Sequence, residues 1–294
     1  MLDQESVHGL RGPSRLLDLL GDRDQLRESG ERALRDPFEV VPQTRLTLRA
    51  PIPVPPSVRD FIAFEGHLAN AVEPLGLTIP PEWYEIPAFY FTNPAAIHGP
   101  MDEVAISPGS TQFDYELEVA AVIGKPGSDI RVEDAAEHIA GYTIMCDWSA
   151  RDLQMHEMAV KLGPAKGKDS ATTLGPALVT ADELEVHRGP TGLQLAMTAS
   201  VNGVQYSSGN LGDMHWSFEQ MIAYASRGTR LVTGDVIGSG TVPTGCILEL
   251  SRLHGAERFP WLKAGDEVRL EVEQLGCLSV RITESRQAEE LSRA

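Results

Sequence analysis

Short apolar segments, separated by residues typical of turns, fill the chain after residue 56. Apolar runs of this length predict β-strands, and Gly, Pro, Asn and Asp between them predict turns. The predicted strands are 104–106, 115–123, 141–146, 194–201, 231–237, 246–250 and 267–273. Many short strands with few helices favour a mainly β fold with short helices (α+β) over a doubly wound parallel sheet.

The first fifty residues have a different pattern. Leucines recur near helical spacing over residues 14–35, with Ser14 as the expected N-cap, and a dense proline run follows at 51–56. Such a run excludes both a helix and a central strand, so we predict an extended connector there. The chain is therefore divided into a small N-terminal element (1–55), a main domain (56–285) and a polar tail (286–294).

Two further helices are predicted from capping signals in the main domain. Ser149 is followed three residues later by Asp152, and Ser217 by Gln220, which is the spacing of a capping box. The second helix is expected to end at Gly228, because glycine is the usual residue just beyond a helix C-terminus.

Composition excludes several classes of partner. The 294 residues include 25 Lys and Arg against 42 Asp and Glu, for a net charge of −17. This charge disfavours nucleic acid and anionic membranes, which select basic patches. The sequence contains no membrane-spanning apolar run and no secretory leader, so we expect a cytoplasmic protein. Its three cysteines (Cys146, Cys246 and Cys277) are widely spaced, which indicates reduced thiols rather than disulfides or a zinc site.

Carboxylates alternate along one predicted strand. Asp114, Glu116 and Glu118 are two residues apart, so on a strand they share a face. Like charges at this spacing repel one another, and a cation between them would reverse the sign of the interaction. From the spacing alone, a solvated strand face and a metal site both remain open.

A second polar group follows the apolar segment 141–146. Asp147 stands at the strand end, and Arg151 and Gln154 share one side of the predicted helix after it. Strand ends often present functional groups, although an ordinary ion pair explains the same residues. The glycine-containing segments 163–169 and 238–241 lack the spacing of phosphate-binding and dinucleotide-binding loops, so we reject both nucleotide interpretations.

Five ordered blocks of this sequence together resemble the fumarylacetoacetate hydrolase family. The resemblance covers residues 56–285. Its blocks are Asp114-Tyr-Glu-Leu-Glu118, Asp147-Trp-Ser-Ala-Arg-Asp-Leu-Gln154, the Gly167-Lys168 loop, Gly238-Ser-Gly-Thr241 and Leu248-Glu-Leu250. It implies a catalytic domain with a mixed β-roll or sandwich, and a homodimer.

The resemblance also implies a metal site. It transfers the family's carboxylate ligands onto Asp60, Glu116, Glu118 and Asp147, with Asp60 seven residues before His67, as in the fumarylacetoacetase branch. All-oxygen ligation suits Mg²⁺ or Ca²⁺, and Mn²⁺ would also fit.

The same resemblance implies hydrolysis of a C–C bond in a β-diketone or acylpyruvate. In that mechanism His67, oriented by Glu249, activates water, and a divalent metal ion stabilises the departing enolate. Three residues are expected to stabilise the oxyanion: Lys168, Gln154 and Arg151. Three more are expected to contact substrate: Tyr90, Gly240 and Thr241.

Three departures from the family pattern suggest a changed substrate pocket. An arginine and two tyrosines that contact substrate in fumarylacetoacetase correspond here to Gly76, Ile62 and Met158. We therefore expect a substrate other than fumarylacetoacetate. Two alternatives remain: a metal-dependent decarboxylase, isomerase or hydratase acting on a 2-oxo acid, and a non-catalytic scaffold that binds a cation or metabolite.

Overall fold

The computed structural model describes residues 2–3, 5–12 and 15–287. Its strands in chain order are β1 (Leu2–Asp3), β2 (Ser6–His8), β3 (Val40–Pro42), β4 (Val58–Phe61), β5 (Phe89–Thr92), β6 (Ile97–His98), β7 (Val104–Ala105), β8 (Phe113–Asp114), β9 (Leu117–Ile123), β10 (Ile139–Asp147), β11 (Ser149–Ala150), β12 (Thr172–Thr180), β13 (Arg188–Gly189), β14 (Gly192–Leu193), β15 (Ala196–Val201), β16 (Val204–Asn210), β17 (Val236–Gly238), β18 (Glu267–Val272) and β19 (Gly276–Thr283). Its α-helices are α1 (Arg23–Arg35), α2 (Glu65–Val72), α3 (Val132–Ala135), α4 (Arg151–Met158), α5 (Phe218–Ser226) and α6 (Ile247–His254).

A seven-stranded sheet lies at the centre of the molecule, in the order β5-β4-β17-β9-β10-β12-β6. Every residue of β9 and β10 is buried, which explains why their sequences are almost continuously apolar. Most pairs are antiparallel, whereas β4 pairs in parallel with β17 and β6 pairs in parallel with β12. The prediction of a mainly β fold with short helices is confirmed.

The largest apolar core lies between this sheet and a five-stranded sheet in the order β16-β15-β18-β19-β7. Alternate residues of β9, such as Leu117, Val119 and Ala121, enter this core together with Leu270 and Val280 of the second sheet. Carboxylates on the central strands, including Glu118, must therefore lie on the opposite face of the central sheet.

A second, smaller core joins the N-terminal segment to that opposite face. Leu20, Ala50 and Ile52 are buried in one cluster with Ala120 and Val122 of β9. The division into an N-terminal element, a main domain and a tail stays a prediction, and most of the tail lies outside the described residues.

The helix predicted over 14–35 is wrong as a single element. The structure has a 3₁₀ turn at Leu16–Asp18 and then α1, which begins after Asp22. The Asp22 side chain accepts hydrogen bonds from the backbone N–H groups of Asp24 and Gln25, so it starts a new helix. Ser14, the expected cap, lies outside the described residues.

Other local predictions had mixed outcomes. Ser217 and Gln220 form the predicted capping box, and Gly228 beyond the helix has a φ of +64°. Ser149 does not cap a helix, because β11 pairs with β8 and α4 begins only at Arg151. Segment 246–250 is not a strand, because α6 begins at Ile247 directly after Cys246. Of segment 231–237, only the last two residues belong to β17.

Within the described ranges, no helix is long and apolar enough to cross a membrane.

Candidate active site

Four carboxylates meet on one face of the central sheet, and we call them the carboxylate cluster. Asp60 is on β4, Glu118 on β9, Asp147 at the end of β10, and Glu116 just before β9. All four are at most 5% exposed. One carboxylate oxygen each from Asp60, Glu116 and Glu118 lies within 4.8 Å of the others. The structure thus brings together the four residues that the resemblance implied as metal ligands.

Strand register explains this convergence. Gly238 of β17 pairs with Asp60 on one side and with Ala120 of β9 on the other. A Cβ atom on Gly238 would lie 2.6 Å from Asp60 Oδ1 and 2.5 Å from Met145 Cε. Glycine is therefore needed where the Asp60 carboxylate crosses the backbone of β17.

Gly240 holds a second member of the cluster. Its backbone N–H donates to Glu118 Oε2 at 3.1 Å, and its φ is +77°. A Cβ atom there would also lie 2.4 Å from the Phe61 carbonyl oxygen. Thr241 beside it is buried. Their predicted contacts with substrate stay predictions, but the glycine has a clear role in orienting Glu118.

Two buried cations accompany the cluster. Lys168 Nζ lies 2.5 Å from Glu116 Oε2 and 2.7 Å from Asp147 Oδ2. Arg151 NH2 lies 2.8 Å from Glu116 Oε1, and its NH1 donates to Gln154 Oε1 at 3.2 Å. The three predicted oxyanion donors are therefore gathered at the cluster. Lys168 and Arg151 are paired with carboxylates, and Gln154 accepts from Arg151 through its amide oxygen.

Tyr90 bridges two members of the cluster. Its hydroxyl donates to Asp60 Oδ2 at 2.8 Å and is also hydrogen-bonded to Asp147 Oδ2. Because a hydroxyl carries a single proton, it serves one carboxylate at a time as donor. The Lys168 ammonium lies 5.7 Å from the centre of the Tyr90 ring. Tyr90 therefore contacts the carboxylates through its hydroxyl and the lysine through its ring.

The loop that carries Lys168 is held in place by Glu157, a residue that the sequence analysis did not identify. Glu157 Oε1 accepts from the backbone N–H groups of Ala165 and Gly167, and its Oε2 accepts from that of Lys166. This loop lines a cavity of about 320 Å³ beside Lys168, together with Phe91, Thr92 and Asn93.

Burial and mutual repulsion raise the pKa of two carboxylates in the cluster, while nearby cations lower that of a third. Burial, followed by repulsion from Asp147, raises the pKa of Asp60 to about 8. Burial and the negative charges of Asp60 and Glu116 raise the pKa of Glu118 well above its usual range. For Glu116 burial acts in the same direction, but attraction to Lys168 and then Arg151 outweighs it and lowers the pKa.

The donor set fits a divalent cation. Among the described residues, no hydrogen-bond partner reaches Asp60 Oδ1 or Asp147 Oδ1, although both atoms are buried. Buried carboxylate oxygens without partners are costly unless a cation binds them. The cluster offers only oxygen atoms, which Mg²⁺, Ca²⁺ and Mn²⁺ prefer.

A histidine–glutamate pair stands beside the cluster. His67 Nδ1 lies 2.7 Å from Glu249 Oε1, and both side chains are buried. Glu249 Oε2 accepts from Asn70 Nδ2 and from the Thr244 backbone N–H, each at 2.8 Å. An ionised Glu249 therefore makes Nδ1 of His67 the protonated nitrogen and leaves Nε2 as the acceptor. His67 also lies close enough to Glu116 for the two side chains to interact electrostatically.

Asp114 does not join Glu116 and Glu118 as the alternating pattern suggested. The chain leaves strand geometry at Tyr115–Glu116, between β8 and β9, so the three side chains do not share one face. Asp114 accepts hydrogen bonds from the backbone N–H groups of Ile247 and Leu248, and Arg151 Nε donates to it at 2.8 Å.

This chain is similar to known proteins in both sequence and fold. The human protein named oxaloacetate tautomerase FAHD2A, mitochondrial, is 34% identical over 268 residues, which cover 90% of this chain and 79% of that protein. Its name places it in mitochondria, and the cytoplasmic location of this chain stays a prediction.

Solved structures agree in fold. A probable 2-hydroxyhepta-2,4-diene-1,7-dioate isomerase from Mycobacterium abscessus is 27% identical, with a TM-score of 0.71 over 92% of this chain and 89% of that one. The maleylpyruvate hydrolase of Sphingobium sp. SYK-6, solved with manganese(II) and pyruvate, shares the fold at 24% identity, with a TM-score of 0.70 over 92% and 86% of the two chains.

The family model described as fumarylacetoacetate (FAA) hydrolase C-terminal matches residues 57–283, which include the whole carboxylate cluster and the histidine–glutamate pair. This chain therefore belongs to the fumarylacetoacetate hydrolase family.

Proposed function

We propose that this protein is a divalent-metal-dependent enzyme that acts on a 2-oxo acid through its enolate. The observation that carries the proposal is the buried His67–Glu249 pair beside a buried, oxygen-only cluster. Asp60, Glu116, Glu118 and Asp147 would hold the cation, with Mg²⁺ or Ca²⁺ proposed and Mn²⁺ also suitable. When bound, such a cation polarises the 2-oxo carbonyl and stabilises negative charge on its oxygen.

Within this chemistry, we propose keto–enol tautomerisation of a 2-oxo dicarboxylate such as oxaloacetate as the reaction. His67 Nε2 takes a proton from the carbon next to the 2-oxo group, and Glu249 stabilises the imidazolium that results. The imidazolium then returns a proton to the oxygen of the former carbonyl, so His67 is regenerated and the substrate is isomerised with no net gain or loss of atoms. The 34% identity to a named oxaloacetate tautomerase supports this assignment.

The state of the oxyanion donors also favours tautomerisation. Lys168 contacts Glu116 and Asp147, and Arg151 contacts Asp114 and Glu116, so both cations are already paired with carboxylates. Hydrolysis needs such donors at a tetrahedral oxyanion, whereas tautomerisation forms no tetrahedral intermediate.

C–C hydrolysis of a β-diketone or acylpyruvate is the second candidate. The His67–Glu249 arrangement favours it, because a histidine whose Nδ1 is fixed by a carboxylate is the usual group for activating water. Decarboxylation of a 2-oxo acid uses the same enolate and is included among the test reactions. The homodimer stays a prediction.

The test is metal removal and restoration with a panel of substrates. The protein is stripped with chelator and reloaded with Mg²⁺, Mn²⁺ or Ca²⁺. Oxaloacetate is followed by enol absorbance, and acylpyruvates and 1,3-diketones are followed by NMR of the products. H67Q serves as the inactive variant. D266N serves as the control, because the Asp266 side chain is buried in the second-sheet region and, within the described residues, accepts hydrogen bonds only from Lys263 N and Asn202 Nδ2.

The outcomes separate the candidates. Metal-restored tautomerisation that H67Q loses and D266N keeps would support the leading assignment. Two carbonyl fragments would establish hydrolysis instead, and release of CO₂ would establish decarboxylation. Metal binding without turnover of any substrate would refute the proposal and leave the non-catalytic scaffold.

A further inference from the structure

Asp114 is the one carboxylate of the alternating pattern that the proposed chemistry does not use. It is fully buried, and it lies between α6 and the first residue of α4. Its Oδ1 accepts from Ile247 N at 2.7 Å, and its Oδ2 accepts from Leu248 N at 3.0 Å. Arg151 approaches the same Oδ2 with Nε and NH2, each at 2.8 Å.

On one side, Asp114 supplies the N-terminal cap of α6. The first N–H groups of a helix have no partners within it, and Cys246 at the N-cap makes no side-chain capping bond. A carboxylate at this end is also favoured by the helix dipole. Glu249 is the third residue of the same helix, so its position relative to His67 depends on how the first turn is held.

On the other side, Asp114 anchors Arg151. The guanidinium of Arg151 spans Asp114 Oδ2 and Glu116 Oε1, at 2.8 Å each from NH2. Without Asp114, Arg151 would lose one of two anions that fix its plane. Glu116 would then lose a fixed positive charge beside its Oε1, because Arg151 is its ion-pair partner there.

We infer that Asp114 is a positioning residue that fixes both halves of the site together: Glu249 of the histidine–glutamate pair through α6, and Glu116 of the carboxylate cluster through Arg151. It contacts neither substrate nor cation. This inference rests on the proposed function for its effect on turnover, but its effects on cation affinity and on the His67 hydrogen bond are independent of any substrate.

The test is D114N, with D266N as its matched control. Asparagine retains the shape of Asp114 and one acceptor oxygen, but it loses the ion pair with Arg151. Loss of such an outer partner costs about 10- to 100-fold in metal affinity or activity. We therefore expect kcat to fall about 10- to 100-fold with KM changed less than threefold, and Mn²⁺ affinity, measured by EPR, to weaken about tenfold.

A third readout follows the pair directly. The downfield imidazole N–H proton of His67, identified by its absence in H67Q, should shift or broaden in D114N and remain in D266N. Mn²⁺ affinity and this resonance need no turnover. If the wild type is inactive on every substrate, the proposed function fails while the positioning role is still measured.

Equal behaviour of the two variants would overturn the inference. One such result is D114N with wild-type kcat, Mn²⁺ affinity and His67 resonance. Another is a loss of kcat and Mn²⁺ affinity in both variants that follows a lower Tm. If D114N does not fold, R151K separates the arms. It retains the charge but not the guanidinium that spans the two carboxylates, so it should weaken Mn²⁺ binding and leave the His67 resonance in place. Unchanged Mn²⁺ affinity in R151K would refute the link to Glu116.

Discussion

Replacement of Glu249 by glutamine tests the proposed role of His67 most directly. In the wild type, Glu249 Oε2 accepts from Asn70 and the Thr244 N–H, while Oε1 faces His67 Nδ1. A glutamine has one acceptor oxygen, and two donors already require it at the Oε2 position. Its NH₂ group must then face His67 Nδ1, which becomes an acceptor and moves the imidazole proton to Nε2.

The size of the effect follows from this change of tautomer. With its proton on Nε2, His67 cannot act as the base there. General-base catalysis contributes about 10²- to 10⁴-fold, and a carboxylate-to-amide change that fixes the wrong tautomer costs about 10⁴-fold in a well-characterised triad. We expect kcat to fall about 10³-fold, equivalent to about 4 kcal/mol at 1.36 kcal/mol for each factor of ten. Mn²⁺ affinity should not change, because within the described part of the chain the Glu249 side chain bonds His67, Asn70, Thr244 and Cys246 and no member of the carboxylate cluster.

The assay is steady-state turnover of the substrate identified by the panel, with Mn²⁺ affinity measured on the same preparations. E65Q is the control, since Glu65 lies on α2 with His67 but bonds the exposed Tyr84 hydroxyl. An E249Q variant with kcat within threefold of the wild type would refute the role of the pair. So would a parallel loss of Mn²⁺ affinity, which would indicate general disruption.

Three further predictions concern the cluster itself. The folded metal-free protein keeps a proton on Asp60 up to about pH 8, whereas an unfolded chain releases it near pH 4. The stability of the metal-free protein should therefore fall as pH rises across that interval, and the difference in Tm between metal-loaded and metal-free protein should widen. An unchanged difference in Tm would contradict the raised pKa of Asp60. K168M should lower the free energy of unfolding of the metal-free protein, measured with denaturant, by about 3–5 kcal/mol, since it leaves buried carboxylates without their cation. K166M is the control: it removes the surface pair with Asp169 and should change the free energy of unfolding by less than about 1 kcal/mol. G238A should abolish Mn²⁺ binding detected by EPR, because its methyl group would lie 2.6 Å from Asp60 Oδ1 and displace that carboxylate. Wild-type Mn²⁺ affinity in G238A would show that β17 can shift to accommodate the methyl group.

Residues near one another in sequence accounted for most of the correct predictions. The Ser217–Gln220 capping box is a local signal, and it is present as expected. The fully buried strands β9 and β10 followed from continuous apolar runs. The four carboxylates were found together only through the family resemblance, because no spacing rule joins Asp60 to residues more than fifty positions later.

Predictions failed where a distant partner determines the local conformation. Segment 246–250 is apolar and short, so periodicity cannot separate a strand from a helix. Its first turn is helical in the fold because Asp114, far away in sequence, caps it. Ser149 was expected to cap a helix, but its backbone pairs with that of Asp114. Both errors trace to the same residue, whose partners no local pattern reveals.

The parallel pairing of β4 with β17 also constrains when the protein can acquire its site during synthesis. Val58 pairs with Val236, so nearly the whole chain must leave the ribosome before the strand that carries Asp60 has its inner neighbour. A fragment ending before β17 would contain every proposed cation ligand in sequence, yet it would lack the strand that separates β4 from β9. Pairings this distant slow folding, because a long loop must close first. Nascent chains and truncated products that end before β17 should therefore bind no divalent cation at this site.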